Sequence, residues 1–196
     1  MVSTWKWIRL VLFLTASAIL VHVFVIDTFR VKSDSMLPTL WPGDYVLAYR
    51  LARQPRLGDI VLLARPNSPE LFTKRVVGLE GDIIALHHGR LIRNGETAQY
   101  QPADSLHFPA DGDILWEKSR EMGPYIVRLT RDIKDFGPIQ VPSGHFFVLG
   151  DNRAGSIDSR EWGSVPVSAM KGRLWSLLFS VDQNGSLRKE RSAVPL

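Results

Sequence analysis

The sequence predicts a mainly β fold, in which one antiparallel β domain follows a single N-terminal transmembrane helix. Three observations predict it: a long uncharged apolar stretch near the first residue, a series of short apolar or alternating runs after it, and turn signals between those runs. The 196 residues suffice for one membrane anchor and one medium-sized domain with its own core.

The apolar stretch predicts a membrane anchor over residues 1–28. Residues 10–26 carry no formal charge. With Trp7 and Ile8 they provide roughly the twenty residues that a helix needs to cross a bilayer. Trp5 and Trp7 lie at one end, where indole rings favour the membrane interface.

A cleaved signal peptide and a buried core helix are the alternatives for this stretch. Residues 16–18 offer a small-residue cleavage site, but a cut there would leave a very short apolar region before it and a long one after it. A core helix is disfavoured because the segment is apolar on every face. Lys6 and Arg9 favour a cytosolic amino terminus, and Arg30 and Lys32 at the other end almost balance them.

Short apolar or alternating runs predict the strands of a domain over residues 29–181. Pro-Gly, Leu-Gly-Asp, Glu-Gly-Asp and Asn-Gly turn signals separate these runs, which comprise residues 44–51, 59–64, 71–77, 82–86, 125–129, 145–149 and 172–181. The more polar residues 90–123 contain the Asn94-Gly95 hairpin signal and predict a small β insertion. Residues 182–196 form a polar basic tail, for which a solvated terminus is the first interpretation.

Composition excludes several kinds of chemistry. Cysteine is absent, which rules out disulfides, thiolate catalysis and cysteine zinc sites. The net charge of +4 permits contact with an anionic membrane, but the basic residues lack the clustering that nucleic-acid binding needs. Neither the zinc-peptidase His-Glu-x-x-His motif nor a Gly-x-Ser-x-Gly elbow occurs, and His87, His88, His107 and His145 are predicted to be surface or hydrogen-bonded residues.

Two segments carry candidate chemistry. Ser33 and Ser35 lie two residues apart just after the apolar stretch, and helix capping is the simpler explanation of such a pair by itself. In a strand over residues 71–77, alternation places Phe72, Lys74 and Val76 on one face. Burial of that face would lower the pKa of Lys74 and allow a neutral amine to take a proton from a serine. The alternative is a lysine whose charged end reaches water.

Together with a third, polar segment, these two resemble type I signal peptidases. The Ser-x-Ser-Met-x-Pro-Thr-Leu pattern matches residues 33–40, and Lys-Arg-Val-Val-Gly-x-x-Gly-Asp matches residues 74–82. The pattern Gly-Asp-Asn-Arg-x-x-Ser-x-Asp-Ser-Arg-x-Trp-Gly-x-Val-Pro matches residues 150–166, and a smaller Gly-Asp-Ile-Val box matches residues 58–61. All four boxes occur in the family's order. The resemblance implies an antiparallel β catalytic domain of the signal-peptidase type.

The resemblance also implies roles for individual residues. Ser35 is expected to be the nucleophile and Lys74 its general base. Ser33 is expected to add its hydroxyl to the Ser35 backbone N–H in an oxyanion hole. Ser156 is expected to hydrogen-bond Lys74 and hold its amine toward Ser35.

Two ion pairs and a set of pocket residues complete the expected site. The resemblance implies that Asp158 pairs with Arg160, and that Arg75 pairs with Asp151 and braces the strand against the Gly-Asp-Asn loop. The pocket residues flank the catalytic groups and are expected to admit small side chains before the cut. They are Val31, Met36 and Phe72.

The expected activity is that of a serine endopeptidase without metal or organic cofactor, located in the bacterial inner membrane with its catalytic domain on the outer face. The expected partners are signal peptides of secreted preproteins and the lipid bilayer, with the secretion translocon as a further candidate and no nucleic acid. A membrane-tethered β domain that binds secreted peptides without turnover is the non-enzyme alternative. A Ser-x-x-Lys enzyme is disfavoured, because that spacing occurs three times without its companion motifs. A self-cleaving repressor would need a DNA-binding module in place of the apolar stretch.

The sequence departs from the family pattern at several positions. Lys32 replaces a common proline, and Asp34 places a charge beside the nucleophile. Glu80 stands where proline is frequent, and Ala154 and Gly155 replace an acidic and an amide residue. None of these changes removes a proposed catalytic group.

Overall fold

The computed structural model describes residues 2–64, 70–103, 112–131, 133–191 and 194–196, and it confirms a mainly antiparallel β fold. Every pair of strands described is antiparallel. The strands are β1 Ile26–Arg30, β2 Asp44–Tyr49, β3 Ile60–Ala64, β4 Leu71–Gly78, β5 Ile83–His87, β6 Arg90–Arg93, β7 Glu96–Thr97, β8 Gln99–Pro102, β9 Asp113–Ser119, β10 Met122–Leu129, β11 Phe136–Gln140, β12 His145–Leu149, β13 Val165–Pro166, β14 Met170–Ser180 and β15 Val194–Pro195. The helices are α1 Val2–Phe24, α2 Ser159–Trp162 and the 3-10 turn Val167–Ala169.

The largest sheet carries the segments with candidate chemistry. Its strand order is β1-β2-β14-β3-β4-β12-β13, and β15 pairs with the long strand β14. In β2 the side chains alternate between buried and partly exposed, which is the two-residue period that the sequence displays. Strands β3, β4 and β12 lie side by side in the sheet, and more than half of the residues in each strand are buried.

Two smaller sheets contain the predicted insertion over residues 90–123 and extend beyond both of its ends. One has the order β10-β9-β8 and the other the order β11-β5-β6-β7. Asn94 and Gly95 join β6 to β7 with φ values of 54° and 81°, the left-handed conformation that a two-residue hairpin turn requires. The hairpin is therefore confirmed, but the β unit continues beyond residue 123, because β10 extends to Leu129 and pairs with β9.

The two ends of the chain are an N-terminal helix and a C-terminal tail that returns to the domain. In the part of the chain that the structure describes, no helix is at once long and apolar enough to cross a membrane, and the transmembrane anchor is not confirmed. Most of the described residues after 181 are exposed, but the tail is also attached to the domain. Strand β15 adds to β14, and Arg191 forms an ion pair with the buried carboxylate of Asp44.

Candidate active site

The loop between β1 and β2 presents the two serines of the first motif. Met36 and Leu40 are fully buried, and the Leu40 N–H donates to the Met36 carbonyl over 2.9 Å, so the loop is fixed to the core by a helical turn. Ser33 Oγ lies 3.0 Å from Ser35 Oγ and also accepts the Ser35 backbone N–H at 3.1 Å. Ser35 is itself buried.

Lys74 reaches this loop from the middle of the large sheet. It lies on β4 opposite Val61 of β3, and only 2% of the residue is exposed. Its Nζ lies 2.8 Å from Ser35 Oγ and donates to the Thr73 carbonyl at 3.1 Å. The ring of Phe72 lies on the same side of the strand, 5.9 Å from Nζ. The structure thus places the amine and the hydroxyl within hydrogen-bonding distance.

Burial changes the acid–base behaviour of this amine. Removal from water lowers the pKa of Lys74 from 10.5 to about 8, although the nearby carboxylates of Asp158 and Asp151 oppose the change. A sizeable fraction of the amine is therefore neutral near physiological pH. A neutral amine 2.8 Å from a serine hydroxyl is able to accept its proton.

The Arg75–Asp151 ion pair joins the lysine strand to the serine loop. Arg75 Nε and Nη2 contact the two carboxylate oxygens of Asp151 at 2.8 and 2.7 Å, and both residues are buried. Asp151 also accepts the Thr39 hydroxyl at 2.5 Å. Such a two-pronged contact fixes both direction and distance, so β4, the serine loop and the loop after β12 are held in one arrangement.

The Asp158–Arg160 ion pair organises the third segment. Arg160 Nε and Nη2 each lie 2.8 Å from an Asp158 oxygen. Asp158 is fully buried, caps the short helix α2 and accepts the Gly150 N–H at 2.9 Å. A side chain on Gly150 would meet the Ser156 hydroxyl at 2.2 Å and the Ser35 carbonyl at 2.5 Å, so only glycine permits this close approach.

Two expected hydrogen-bond arrangements are not present. Ser156 Oγ is buried without a hydrogen-bond partner, so the expected bond to Lys74 is not made. The Ser33 hydroxyl and the Ser35 N–H, both expected to point at a substrate oxygen, are instead bonded to each other. This hydrogen bond would have to break before the Ser33 hydroxyl or the Ser35 N–H could donate to an oxyanion.

A groove of about 480 Å³ runs past the Ser35–Lys74 contact. Two of the three predicted pocket residues, Val31 and Phe72, line it. Met36 does not, because its side chain is fully buried in a core cluster with Val31 and Leu40. The other lining residues come from the end of β1, from the serine loop that follows it and from the start of β4, apart from Leu62 on β3. They are Phe29, Arg30, Lys32, Ser33, Ser35, Leu62, Glu70, Leu71, Thr73 and Lys74.

A buried ion pair beside the site was missed by sequence reasoning. Arg153, in the Gly-Asp-Asn-Arg box, pairs with Glu117 of β9 at 2.7 Å, and both side chains are 0% exposed. Tyr125 donates to Glu117, and the ring of Tyr125 lies 4.3 Å from the Arg75 guanidinium. Glu117 stands in the polar insertion and belongs to none of the four motifs, so no local pattern marks it.

The histidines behave as predicted where they are described. His87 Nδ1 and the His88 N–H contact the Asp135 carboxylate at 2.7 and 2.8 Å, on an exposed turn that does not line the groove. His145 is hydrogen-bonded to the Ser143 carbonyl. His107 lies outside the described residues.

Comparisons with known proteins point to one family. The model of the family "Signal peptidase, peptidase S26" matches residues 4–179. A signal peptidase I of Bacillus licheniformis is 32% identical over 161 residues, which cover 81% of this chain and 78% of the relative. A signal peptidase I of Leptolyngbya laminosa is 31% identical over 178 residues, covering 85% and 75%.

A crystal structure of a signal peptidase I from Enterococcus faecalis V583 matches with a TM-score of 0.42 and 26% identity, and the match covers 62% of this chain and 97% of that chain. The family match spans 4–179, and therefore includes the serine loop, the lysine strand and the polar loop that supports them. The chain belongs to the S26 family of signal peptidases.

Proposed function

We propose that this chain is a membrane-bound serine endopeptidase that removes N-terminal signal peptides from exported preproteins. The observation that carries the proposal is the 2.8 Å contact between Lys74 Nζ and Ser35 Oγ, at the wall of an open groove, in a member of a peptidase family. The relatives named signal peptidase I support the same substrate class. Ser35 and Lys74 form the proposed catalytic dyad.

The proposed reaction proceeds through an acyl-enzyme. Neutral Lys74 takes the Ser35 proton as the oxygen attacks the carbonyl carbon of the scissile bond, and the resulting ammonium protonates the departing amine. In the second half of the reaction, Lys74 takes a proton from a water molecule as the water oxygen attacks the ester carbon. The ester bond to Ser35 then breaks, the new carboxyl terminus is released, and the Lys74 ammonium returns the proton to the Ser35 oxygen. The Thr73 carbonyl accepts from Nζ and steadies its orientation during both transfers. No metal or cofactor enters any step.

Oxyanion stabilisation in this scheme requires a small rearrangement. The Ser35 N–H and the Ser33 hydroxyl form a hydrogen bond with each other in the free enzyme. We propose that an entering carbonyl oxygen replaces this contact and receives both donors. Ser33 is an exposed residue that lines the groove, so its side chain has room to turn toward the substrate oxygen once this contact is broken. Ser156 is proposed to complete the support of Lys74 once substrate is bound.

The groove suits an extended peptide. Its walls are the end of edge strand β1, the loop that follows it and the start of β4. A bound peptide would lie as a further extended strand beside these segments. Val31 and Phe72 line the groove near the catalytic pair, and we propose that they favour small side chains before the cut. The pairs Arg75–Asp151 and Asp158–Arg160 are proposed to hold this geometry rather than to touch the substrate.

We propose that the part of residues 1–28 that precedes β1 anchors the enzyme in the bacterial inner membrane, with the catalytic domain on the outer face. The predicted boundary between residues 28 and 29 moves to the start of β1, because residues 26–28 already pair with β2. The large apolar side chains described on α1 are exposed, which supports a lipid environment for them. They are Trp5, Trp7, Ile8, Leu10, Val11, Leu12, Phe13 and Leu14. The bilayer is then a partner of the chain, and the secretion translocon is the proposed source of its substrates.

A cleavage assay tests the proposal directly. Detergent-solubilised protein is incubated with a preprotein, and the new amino terminus is sequenced; we expect one cut after an Ala-x-Ala-type site. Ser35→Ala and Lys74→Ala should abolish the cut, and so should Lys74→Arg, because a guanidinium does not deprotonate near neutral pH. Robust cleavage by any of the three variants would refute the dyad.

A matched control comes from the alternative Ser-x-x-Lys spacing. The double variant Ser168→Ala/Lys171→Arg changes the same residue types at exposed positions, and it should cut at the wild-type rate. Tight binding of the preprotein by the wild type without any cut would favour the peptide-binding alternative.

A further inference from the structure

The basic tail folds back toward the loop that carries Ser35. After β14 ends, Asp182 accepts the backbone N–H groups of Asn184 and Ser186, both at 2.8 Å, and closes a tight turn. The Arg188 N–H then returns to the Ser180 carbonyl at 2.9 Å. This reversal directs Arg188 and the following residues against the segment over residues 39–44.

Arg191 makes the central contacts of the tail. Its Nε lies 3.2 Å from Asp44 Oδ1, its Nη2 contacts the other oxygen of the same carboxylate, and Nη2 also donates to the Thr39 carbonyl at 3.0 Å. The guanidinium lies 4.5 Å from the ring centre of Trp41. The Asp44 side chain is 0% exposed and that of Arg191 is 17% exposed. A carboxylate so far from water needs an opposite charge, and Arg191 supplies it.

Arg188 adds a second contact on the same aromatic residue. Its guanidinium lies 5.4 Å from the Trp41 ring centre, and Nη1 donates to the Pro42 carbonyl at 3.0 Å and to Ser180 Oγ at 2.9 Å. Trp41 in turn donates its indole N–H to the Pro38 carbonyl at 2.8 Å. Both arginines therefore hold backbone carbonyls of the loop as well as its one tryptophan.

The same loop is also held by the Gly-Asp-Asn segment that contains Asp151 and Asn152. The Thr39 hydroxyl donates to Asp151, the partner of Arg75, and the Ser35 carbonyl accepts the Asn152 N–H at 3.1 Å. Thr39 thus contacts Asp151 through its side chain and Arg191 through its carbonyl. The loop that presents the proposed nucleophile is held between the Gly-Asp-Asn loop and the tail.

We propose that Arg191, assisted by Arg188, is a positioning residue that keeps Ser35 Oγ within reach of Lys74 Nζ by fixing residues 39–44. This inference rests on the proposed function of the Ser35–Lys74 pair. Neither arginine touches the groove, so the role is to hold the loop and not to bind the peptide. Loss of the contact should lower turnover more than substrate binding, because a displacement of a reacting atom by about 1 Å costs about a hundredfold in rate.

The test compares Arg191→Ala with Arg173→Ala, which removes another arginine in contact with an aspartate, at 3.4 Å from Asp59. We expect kcat to fall by about 10- to 100-fold in Arg191→Ala with KM within about twofold, and millimolar guanidinium to restore part of it. Arg173→Ala should keep both constants. Arg191→Lys keeps the charge but loses the planar fork, so it should fold and show an intermediate kcat.

Hydrogen–deuterium exchange provides a readout that does not depend on turnover. In Arg191→Ala we expect faster exchange of the backbone amides over residues 36–44, and unchanged exchange in β4. Unchanged exchange in that loop, or a wild-type kcat in Arg191→Ala, would overturn the positioning role and leave the dyad in place. A wild-type chain that fails to cut any preprotein, with the loop still loosened in Arg191→Ala, would overturn the proposed function and with it the catalytic part of this role.

Discussion

Replacing Lys74 by methionine should abolish cleavage and make the folded domain more stable at pH 7. The pKa of Lys74 falls from 10.5 to about 8 in the folded protein, and at about 1.4 kcal/mol per pH unit this difference disfavours the folded state by about 3 kcal/mol at neutral pH. Methionine has a similar shape and no charge. Loss of the contacts with Ser35 and the Thr73 carbonyl offsets about 1–2 kcal/mol.

The net gain of about 1–2 kcal/mol corresponds to a rise of roughly 2–8 °C in Tm for a domain of this size. The sign also sets the pH dependence. Between pH 8 and 10.5 the unfolded chain binds more protons at this lysine than the folded chain does, so wild-type stability rises with pH across that window. The advantage of the variant should therefore be largest below pH 8 and should shrink toward pH 10.5.

Thermal unfolding followed by circular dichroism at pH 7 and pH 9.5 measures both effects. Lys171→Met, at an exposed position of β14, is the matched control and should leave Tm unchanged. A Lys74→Met protein with a Tm equal to or below that of the wild type at pH 7, and the same difference at pH 9.5, would refute the argument that this amine is held in a depressed-pKa state.

Four further predictions follow from the same contacts. Cleavage by the wild type should rise about tenfold per pH unit below the Lys74 pKa of about 8 and level off about one unit above it, as a pH–rate profile with a peptide substrate would reveal. Asp158→Asn removes the carboxylate that contributes most to raising the Lys74 pKa, so the increase in cleavage rate should occur at lower pH in the same assay. Glu117→Gln leaves the buried Arg153 charge without a carboxylate and should lower the free energy of unfolding in urea by about 3 kcal/mol. Ser156→Ala removes a buried hydroxyl that lacks a hydrogen-bond partner, so Tm should rise by a few degrees in a thermal unfolding measurement.

Elements with a strong local pattern could be predicted from the sequence. The run over residues 71–77 contains several β-forming residues, and it becomes β4 with Phe72 and Lys74 on one side. The hairpin at Asn94 and Gly95 could be predicted because a two-residue turn requires left-handed φ angles, which these two residue types adopt readily. The two serines and the lysine stood in motifs of fixed spacing, so their identity as candidates needed no three-dimensional information.

Contacts between distant segments could not be predicted in this way. Glu117 and Arg153 are 36 positions apart, and charge in a polar stretch normally indicates solvent exposure rather than a buried pair. The tail presents the same difficulty, because Arg191 reaches Asp44 only after the turn at Asp182 has reversed the chain. The position of Met36 beside Ser35 predicts a groove residue, but a helical turn directs its side chain into the core instead. Sequence proximity does not determine side-chain direction in an irregular loop.

The fully enclosed pair of Arg153 and Glu117 has a consequence for engineering this chain. It joins the loop after β12 to strand β9 of the insertion, with neither charge open to solvent. A chimera that exchanges residues 90–123 for the equivalent segment of another peptidase must therefore bring an acidic group to the same point. Without that acidic group, the Arg153 guanidinium would be buried without an opposite charge, two residues from Asp151. The chimera would then be strongly destabilised at this point, whatever the rest of the donor segment contributes.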